Sequence, residues 1–391
     1  MDPSRSYALL LVSGAILFLP GVSRILRIPA VVAEILFGVV LGKSLLQLEF
    51  SGDWLPFLAE LGFLLLMFQA GMEIDFTMLK KQRKGQLLFH LIFFGLTLGL
   101  SLLAALALDR GIFMALVLST TSLGLVMPTL KEAGLSRSEL GQNILIAATL
   151  ADFLTLFGIT FFILFIQYGL SWRFVLPVPL FLGFGVVLRL GRLWAWWHPD
   201  KAERLLGKTG DDDTQEIGVR LSIALLFLFV GLSELVHLEP VLGAFLGGSL
   251  LSFVFREKPV LDHKLSAMGF GFLIPFFFIH VGMQFDLSTL LTVETLLFSL
   301  ELLAFALAVK LLPAVVLLFR GRGPREVFQV GFLLSSRLSL IIAAAAIGVQ
   351  NELISQEMKD VIVFLALLTC FLGPTLFKLA LPNRSESPAK L

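Results

Sequence analysis

The chain has 391 residues, of which 57% are hydrophobic and only 15% charged. With a mean hydropathy of +0.92, it has the composition of an integral membrane protein and not of a soluble domain. The 38 Phe, 34 Gly and 16 Pro suit closely packed, locally broken helices, whereas the strands of a membrane barrel would alternate in polarity at every second residue, so a barrel is excluded. A net charge of +1 leaves no basic excess for nucleic acid, and the single cysteine, Cys370, provides neither a disulfide nor a Cys-based metal site.

A spanning helix needs about 20 apolar residues. In chain order the apolar runs predict spans at 7–22, 28–46, 56–74, 86–108, 112–130, 140–168, 174–190, 217–236, 240–255, 266–284, 293–319, 326–349 and 360–381. The expected fold class is therefore an all-α integral membrane protein with thirteen transmembrane helices. Residues 1–27 are read as a retained first helix with the N-terminus outside. A signal peptide fits less well, because Asp2 weakens the basic leader and no small-residue cleavage site precedes Arg24.

The distribution of basic residues tests this count, since one missed helix would invert every later loop. With the N-terminus out, 23 of the 30 Lys and Arg fall inside, among them Lys80, Lys81, Arg83, Lys84, Arg256, Arg322 and Lys378. Only Arg5, Lys43, Arg110, Arg173 and Lys359 fall outside, while Lys310 and Arg337 lie within spans. Trp194, Trp196 and Trp197 followed by Asp211, Asp212 and Asp213 read as an interfacial belt and a solvated inner loop.

Two segments repeat. Pro29 begins a helix with Gly38 and Gly42, and Pro240 begins one with Gly243, Gly247 and Gly248. Gly71-Met72-Glu73-Ile74-Asp75 follows the first Pro at the same distance as Gly282-Met283-Gln284-Phe285-Asp286 follows the second. In the expected topology the two motifs emerge on opposite sides, which makes 28–168 and 240–381 inverted five-helix repeats. They are joined by linking helices and a loop over 169–239 and followed by a short tail, 382–391. Such repeats build alternating-access carriers whose site lies where broken helices meet.

Span 112–130 carries Ser119-Thr120-Thr121-Ser122 at its middle and Pro128 beyond it, and span 326–349 carries Ser335-Ser336-Arg337-Leu338-Ser339 at similar depth. Both are expected to be interrupted there, and freed carbonyls in such breaks attract cations. The competing reading is a stripe of small residues that only lets helices pack. Asp152 lies mid-helix with no Lys or Arg within a turn. A carboxylate at that depth costs about 3 kcal/mol on insertion scales, so it marks function by default: it can hold a proton or a small cation. Lys310 is equally deep, and its counterpart in the first repeat is Gly99, so its charge is no symmetric packing feature. It either compensates Asp152 or half-helix ends, pairs structurally with Asp152, or snorkels. Arg337 either neutralises carbonyl ends or pairs with Glu34. Glu34 itself is a candidate for an inner vestibule or for a structural pair. His90, His237, His263 and His280 have no metal-ligand spacing.

Glu34 to Gly42, Leu61-Gly62-Phe63 with Gly71 to Asp75, Thr120 to Glu132, Ala151-Asp152, Gly243 to Gly247 and Phe276 to Met283 together resemble the monovalent cation:proton antiporter-2 family over about 28–381. The resemblance implies a thirteen-helix homodimer whose six-helix core holds two crossed broken helices and moves as an elevator. It also implies that Asp152 binds both ion and proton, that Thr120 and Thr121 lie in the first unwound stretch, and that Lys310 is the basic residue of the core; Thr120, Thr121 and the adjacent Ser122 thus join Asp152 as candidate ion-binding residues. The chain departs from the family pattern in having Ala151 where relatives carry Asp, Asn or Gln, and Arg337-Leu338-Ser339 where many carry Arg-Gly-Glu. Only about ten residues follow Leu381, so the nucleotide-binding regulatory domain of potassium-efflux relatives is not expected.

The expected function is thus secondary antiport of Na+ or K+ against H+ at Asp152, in the cell membrane of a prokaryote, with no cofactor. The transported cation is the only metal expected. A rival is an ion-coupled symporter of an organic anion, read by Arg337 and Lys310. An intramembrane hydrolase would need paired catalytic groups, and the sequence offers none. With Ala151 unable to pair with Lys310, one cation is expected to exchange for one proton.

Overall fold

The computed structural model describes residues 3–26, 28–48, 52–73, 84–136, 138–169, 216–235, 238–255, 259–290 and 292–381, with scattered positions between 183 and 197. The predicted span 174–190 lies largely outside the described residues, as do Ile74, Asp75, Trp194, Asp211, Asp212, Asp213, His237 and the tail 382–391.

Among the described residues all regular structure is helical. In chain order the helices are α1 (Pro3–Leu26), α2 (Ala30–Leu41), α3 (Trp54–Met72), α4 (Lys84–Ala107), α5 (Ile112–Ser119), α6 (Leu123–Glu132), α7 (Glu139–Tyr168), α8 (Ile217–Leu235), α9 (Pro240–Val254) and α10 (Pro259–Met268). A π-helical turn, Gly269–Leu273, leads into α11 (Ile274–Gln284). Then come α12 (Leu287–Leu290), α13 (Val293–Ala314) with a 3-10 extension to Arg320, α14 (Pro324–Leu334), α15 (Ser339–Gln350) and α16 (Gln356–Leu379). Eight of these segments, counting α5 with α6 and α10 with α11 as one each, are long and apolar enough to cross a bilayer, and α14 with α15 adds a ninth that is bent by 44°. Exposed side chains such as Leu103, Leu297 and Phe319 suit a lipid-facing surface and not water. The protein is a multi-pass helical membrane protein.

Both spans expected to break do so. Thr120 to Ser122 separate α5 from α6, and Ser335 to Leu338 separate α14 from α15. The cause is local: the Ser119 hydroxyl donates to the Leu116 carbonyl at 2.8 Å, that of Thr120 to Val117 at 2.7 Å and that of Ser335 to Phe332 at 2.6 Å. Such bonds offer the backbone an alternative to the helical ladder. Pro128, by contrast, sits inside α6 without ending it.

Two boundaries differ from the sequence expectation. Span 28–46 ends its helix at Leu41, because a Cβ on Gly42 would lie 2.1 Å from the Met283 carbonyl oxygen and the chain turns away at that contact. Span 266–284 starts earlier, at Pro259, and is continuous through the π turn. There the Gln69 amide nitrogen donates to the Leu265 carbonyl at 2.8 Å, and a Cβ on Gly269 would meet that nitrogen at 2.2 Å. An inserted side chain of this kind is a recognised cause of a π turn.

The chain divides into two compact units, one of Met1–Lys80 with Thr160–Ser288 and the other of Lys81–Ile159 with Thr289–Leu391. In the first, α2 packs on α11 and α3 on α9. Both contacts are backbone to backbone: a Cβ on Gly282 would lie 2.1 Å from the Ile35 oxygen, and one on Gly248 would lie 1.8 Å from the Phe68 oxygen. In the second unit α14 packs against α13 and α16, and α4 against α5 and α13. Ion pairs Arg322–Glu139 and Lys378–Glu132 join its charged loops and helix ends; exposed pairs of this sort contribute about 0–1 kcal/mol each.

Close approach in the first unit sets opposite signs for two glycine substitutions. Gly248→Ala forces backbone apart and is expected to destabilise by about 1–3 kcal/mol or more. Gly231→Ala meets nothing within 4 Å in the interior of α8 and is expected to be neutral or stabilising by up to about 1 kcal/mol. Thermal melts of the purified protein in detergent check the pair; equal melting temperatures would contradict the contact.

Candidate functional site

Interrupting a span leaves carbonyls at the C-terminal end of one half-helix and N–H groups at the N-terminal start of the next without helical partners. In hydrocarbon each needs a substitute, and unwound backbone survives only where the protein supplies one. All the substitutes described here come from the second unit.

Arg337, fully buried within the second break, donates from Nη2 to the Leu118 carbonyl at 2.9 Å and to the Ala306 carbonyl at 2.8 Å, and from Nη1 to the Ser335 carbonyl at 3.0 Å. One guanidinium therefore caps the C-terminal ends of α5 and α14 and ties both to α13. Lys310, buried on α13, donates to the Ser119 carbonyl at 2.7 Å and to the Thr121 hydroxyl oxygen at 2.8 Å. The Thr121 hydroxyl in turn donates to the Leu334 carbonyl at 3.3 Å, the last residue of α14. Each half-helix C-terminus carries about half a negative charge, so two cations placed there are electrostatically matched. Of the alternatives for Arg337, the structure takes the capping of carbonyl ends.

Asp152 sits at the opposite pole. It lies mid-way along α7, half-buried, and its Oδ2 accepts from the Leu123 backbone N–H at 3.2 Å. Leu123 is the first residue of α6, so the carboxylate faces the positive end of that half-helix. The neighbouring Gly124 is exposed, whereas Ser119, Thr120, Thr121 and Ser122 are buried. Lys310 is near enough to Asp152 to interact with it electrostatically, but its two hydrogen bonds go to Ser119 and Thr121.

The structure therefore brings Asp152, Thr120, Thr121, Ser122, Lys310 and Arg337 together around one pair of breaks. Glu34 is buried on α2 in the first unit. Sequence reasoning missed one pair. Thr155 lies one turn beyond Asp152 on the same face of α7, and its hydroxyl is 3.1 Å from that of Ser119. Ser119 spends its proton on Leu116, so Thr155 is the donor between them. The i, i+3 spacing from Asp152 was the available signal.

The second unit thus gathers one acid and two basic side chains at a pair of interrupted helices. The profile of the family described as sodium/hydrogen exchanger, transmembrane, matches residues 11–381, and the chain belongs to that family. It is 37% identical over 383 residues to YjbQ of Bacillus subtilis, covering 93% of this chain but 60% of that relative; the chain thus spans about three fifths of that relative's length. It is 28% identical over 367 residues to the Na(+)/H(+) antiporter of Enterococcus hirae, covering 91% of this chain and 93% of the relative. In fold it is similar to the sodium proton antiporter MjNhaP1 of Methanocaldococcus jannaschii, with a TM-score of 0.63 over 96% of this chain and 97% of that one, at 16% identity.

Arg337 offers a test of the capping. Arg337→Met leaves the Leu118, Ser335 and Ala306 carbonyls without their present donor, at about 1–3 kcal/mol for each buried group left unsatisfied. Arg337→Lys replaces a planar fork by a point charge and is expected to recover only part of the loss. The expected order of melting temperature is wild type, Arg337→Lys, Arg337→Met; a methionine variant as stable as wild type would contradict it.

Proposed function

We propose that the protein is a secondary-active antiporter that exchanges a monovalent cation, Na+ or K+, for H+ by alternating access, with Asp152 as the shared site. The observation that carries this is the division of labour at the breaks: Lys310 and Arg337 are hydrogen-bonded to carbonyls and a hydroxyl, while the half-buried Asp152 has the charge and exposure to take a proton or a bare cation in turn. Family membership and the antiporter names of relatives support the same reading. The rival symport of an organic anion loses support, since both Nη groups of Arg337 donate to backbone carbonyls rather than facing a solute.

The finer architecture belongs to this proposal. Thirteen spans in inverted repeats are supported by the charge distribution, by the repeated Gly-Met motif, and by matched contacts in the first unit: Gly282 against Ile35 and Gly38, and Gly71 against Phe245 and Ser249. The crossing of the two broken helices, the homodimer, the elevator motion of the core and the prokaryotic inner membrane follow from the family resemblance.

Asp152→Asn can neither titrate nor offer charge to a cation. It is expected to yield folded protein without exchange, read as cation-driven proton flux in liposomes; wild-type flux would end the single-carboxylate reading. In the wild type, protons and cations compete for one carboxylate. The apparent cation affinity is therefore expected to weaken as pH falls, by at most about tenfold per unit below the site's own titration. An affinity that stays flat over two pH units around the optimum would contradict competition.

Ala151 provides no carboxylate for Lys310, and Lys310 is bonded to neutral acceptors. Exchange of one cation for one proton follows, so flux is expected to be unchanged by an imposed membrane potential. A rate that climbs with potential, or a steady current on a supported membrane, would show that a second group carries a proton.

A further inference from the structure

The hydroxyl of Thr121 has one proton and two lone pairs. Its proton goes to the Leu334 carbonyl at 3.3 Å, and a lone pair accepts from the Lys310 ammonium at 2.8 Å. A cargo cation placed on the remaining lone pair would sit against that ammonium, so this oxygen is a poor ligand for the ion. Lys310 is buried on a long unbranched stem, and its anchor Thr121 lies two residues before Leu123, whose N–H donates to Asp152. If released, an ammonium in a low-dielectric site with a carboxylate in reach would pair with it. Such a pair would occupy the group that the cargo needs.

We infer that Thr121 is a positioning residue that tethers Lys310 to the first break and keeps its ammonium off Asp152, so that the carboxylate stays available to the transported cation. The inference rests on Asp152 being the cation site. It also changes the role of Thr121 from ligand of the ion to holder of its internal competitor. The tether has two anchors, the Ser119 carbonyl and the Thr121 hydroxyl, and only the second can be removed by a side-chain substitution. Because Thr121 also bonds to the end of α14, the position of Lys310 is linked to both breaks.

The test uses the full-length protein purified in detergent, with Na+ as the probe and K+ in parallel. The concentration of cation giving half of its thermal stabilisation is measured for Thr121→Val and Thr121→Ser, each in the native and the Lys310→Gln background. If released Lys310 occupies Asp152 nine-tenths of the time, the apparent affinity falls about tenfold. Thr121→Val is therefore expected to raise the midpoint about tenfold, and Thr121→Ser to restore it to within about twofold. With Lys310→Gln present, the valine is expected to change the midpoint less than about twofold. In liposomes the valine variant is expected to show a raised KM with its maximal rate retained.

An equal rise in both backgrounds would make Thr121 a direct ligand of the cargo and overturn the tether. So would an unchanged midpoint in the native background, or a serine variant as impaired as the valine. A fall in maximal rate at unchanged KM would assign Thr121 a structural role only, and Thr121→Ala provides the same comparison should the valine not be accommodated. A wild-type protein that shows no cation-dependent stabilisation different from Asp152→Asn would instead overturn the assignment of the site itself, which separates the two failures.

Discussion

Carbonyls released from a helix inside a bilayer must find donors, and the organisation of the second unit follows from how this protein supplies them. Breaking a span leaves Leu118, Ser119, Leu334 and Ser335 pointing oxygen atoms into a buried space. Water is not the solvent there, and each uncapped group costs several kcal/mol. One guanidinium, one ammonium and one hydroxyl meet all four. Because Arg337 reaches α5, α13 and its own break together, and Thr121 bonds the end of α14, the two interruptions are tied to each other.

The same arrangement separates charge around the breaks. The cations are matched to the negative ends of α5 and α14, and Asp152 is matched to the positive start of α6. The Leu123 N–H and the positive start of α6 stabilise a carboxylate so placed. It is half-buried, and Gly124, next to Leu123, is exposed. The surrounding hydroxyls of Ser119, Thr120 and Thr155 are committed to one another and to α5 carbonyls, so they fix the shape of the break.

The first unit is held by a different principle. There the helices meet without intervening side chains, at Gly38 with Gly282 and at Gly248 with the Phe68 carbonyl, which is the close packing that small residues permit in membranes. Such contacts tolerate no added carbon, whereas the breaks of the second unit are held by side-chain hydrogen bonds. The opening of the α10–α11 helix by Gln69 belongs with the close contacts, because it too depends on a glycine, Gly269, leaving room.

Some of this was legible in the chain alone, for physical reasons. Asp152, Lys310 and Arg337 stood out because charge in an apolar run is costly, and the two breaks because Ser and Thr hydroxyls compete for helical carbonyls. The high glycine content pointed to closely packed helices because only glycine admits such approach. What residue pattern could not give was which donor meets which acceptor. Thr121 and Lys310 are 189 residues apart in the chain, and no local periodicity encodes their meeting. The same holds for the pairing of Ser119 with Thr155 and for the end of α2 at Leu41, which is set by the Met283 carbonyl. Sequence determined which groups are too expensive to bury without purpose, since that cost depends on residue type and depth. Only the tertiary structure decided their partners, since hydrogen bonding depends on distances that the folded chain alone brings within 3 Å.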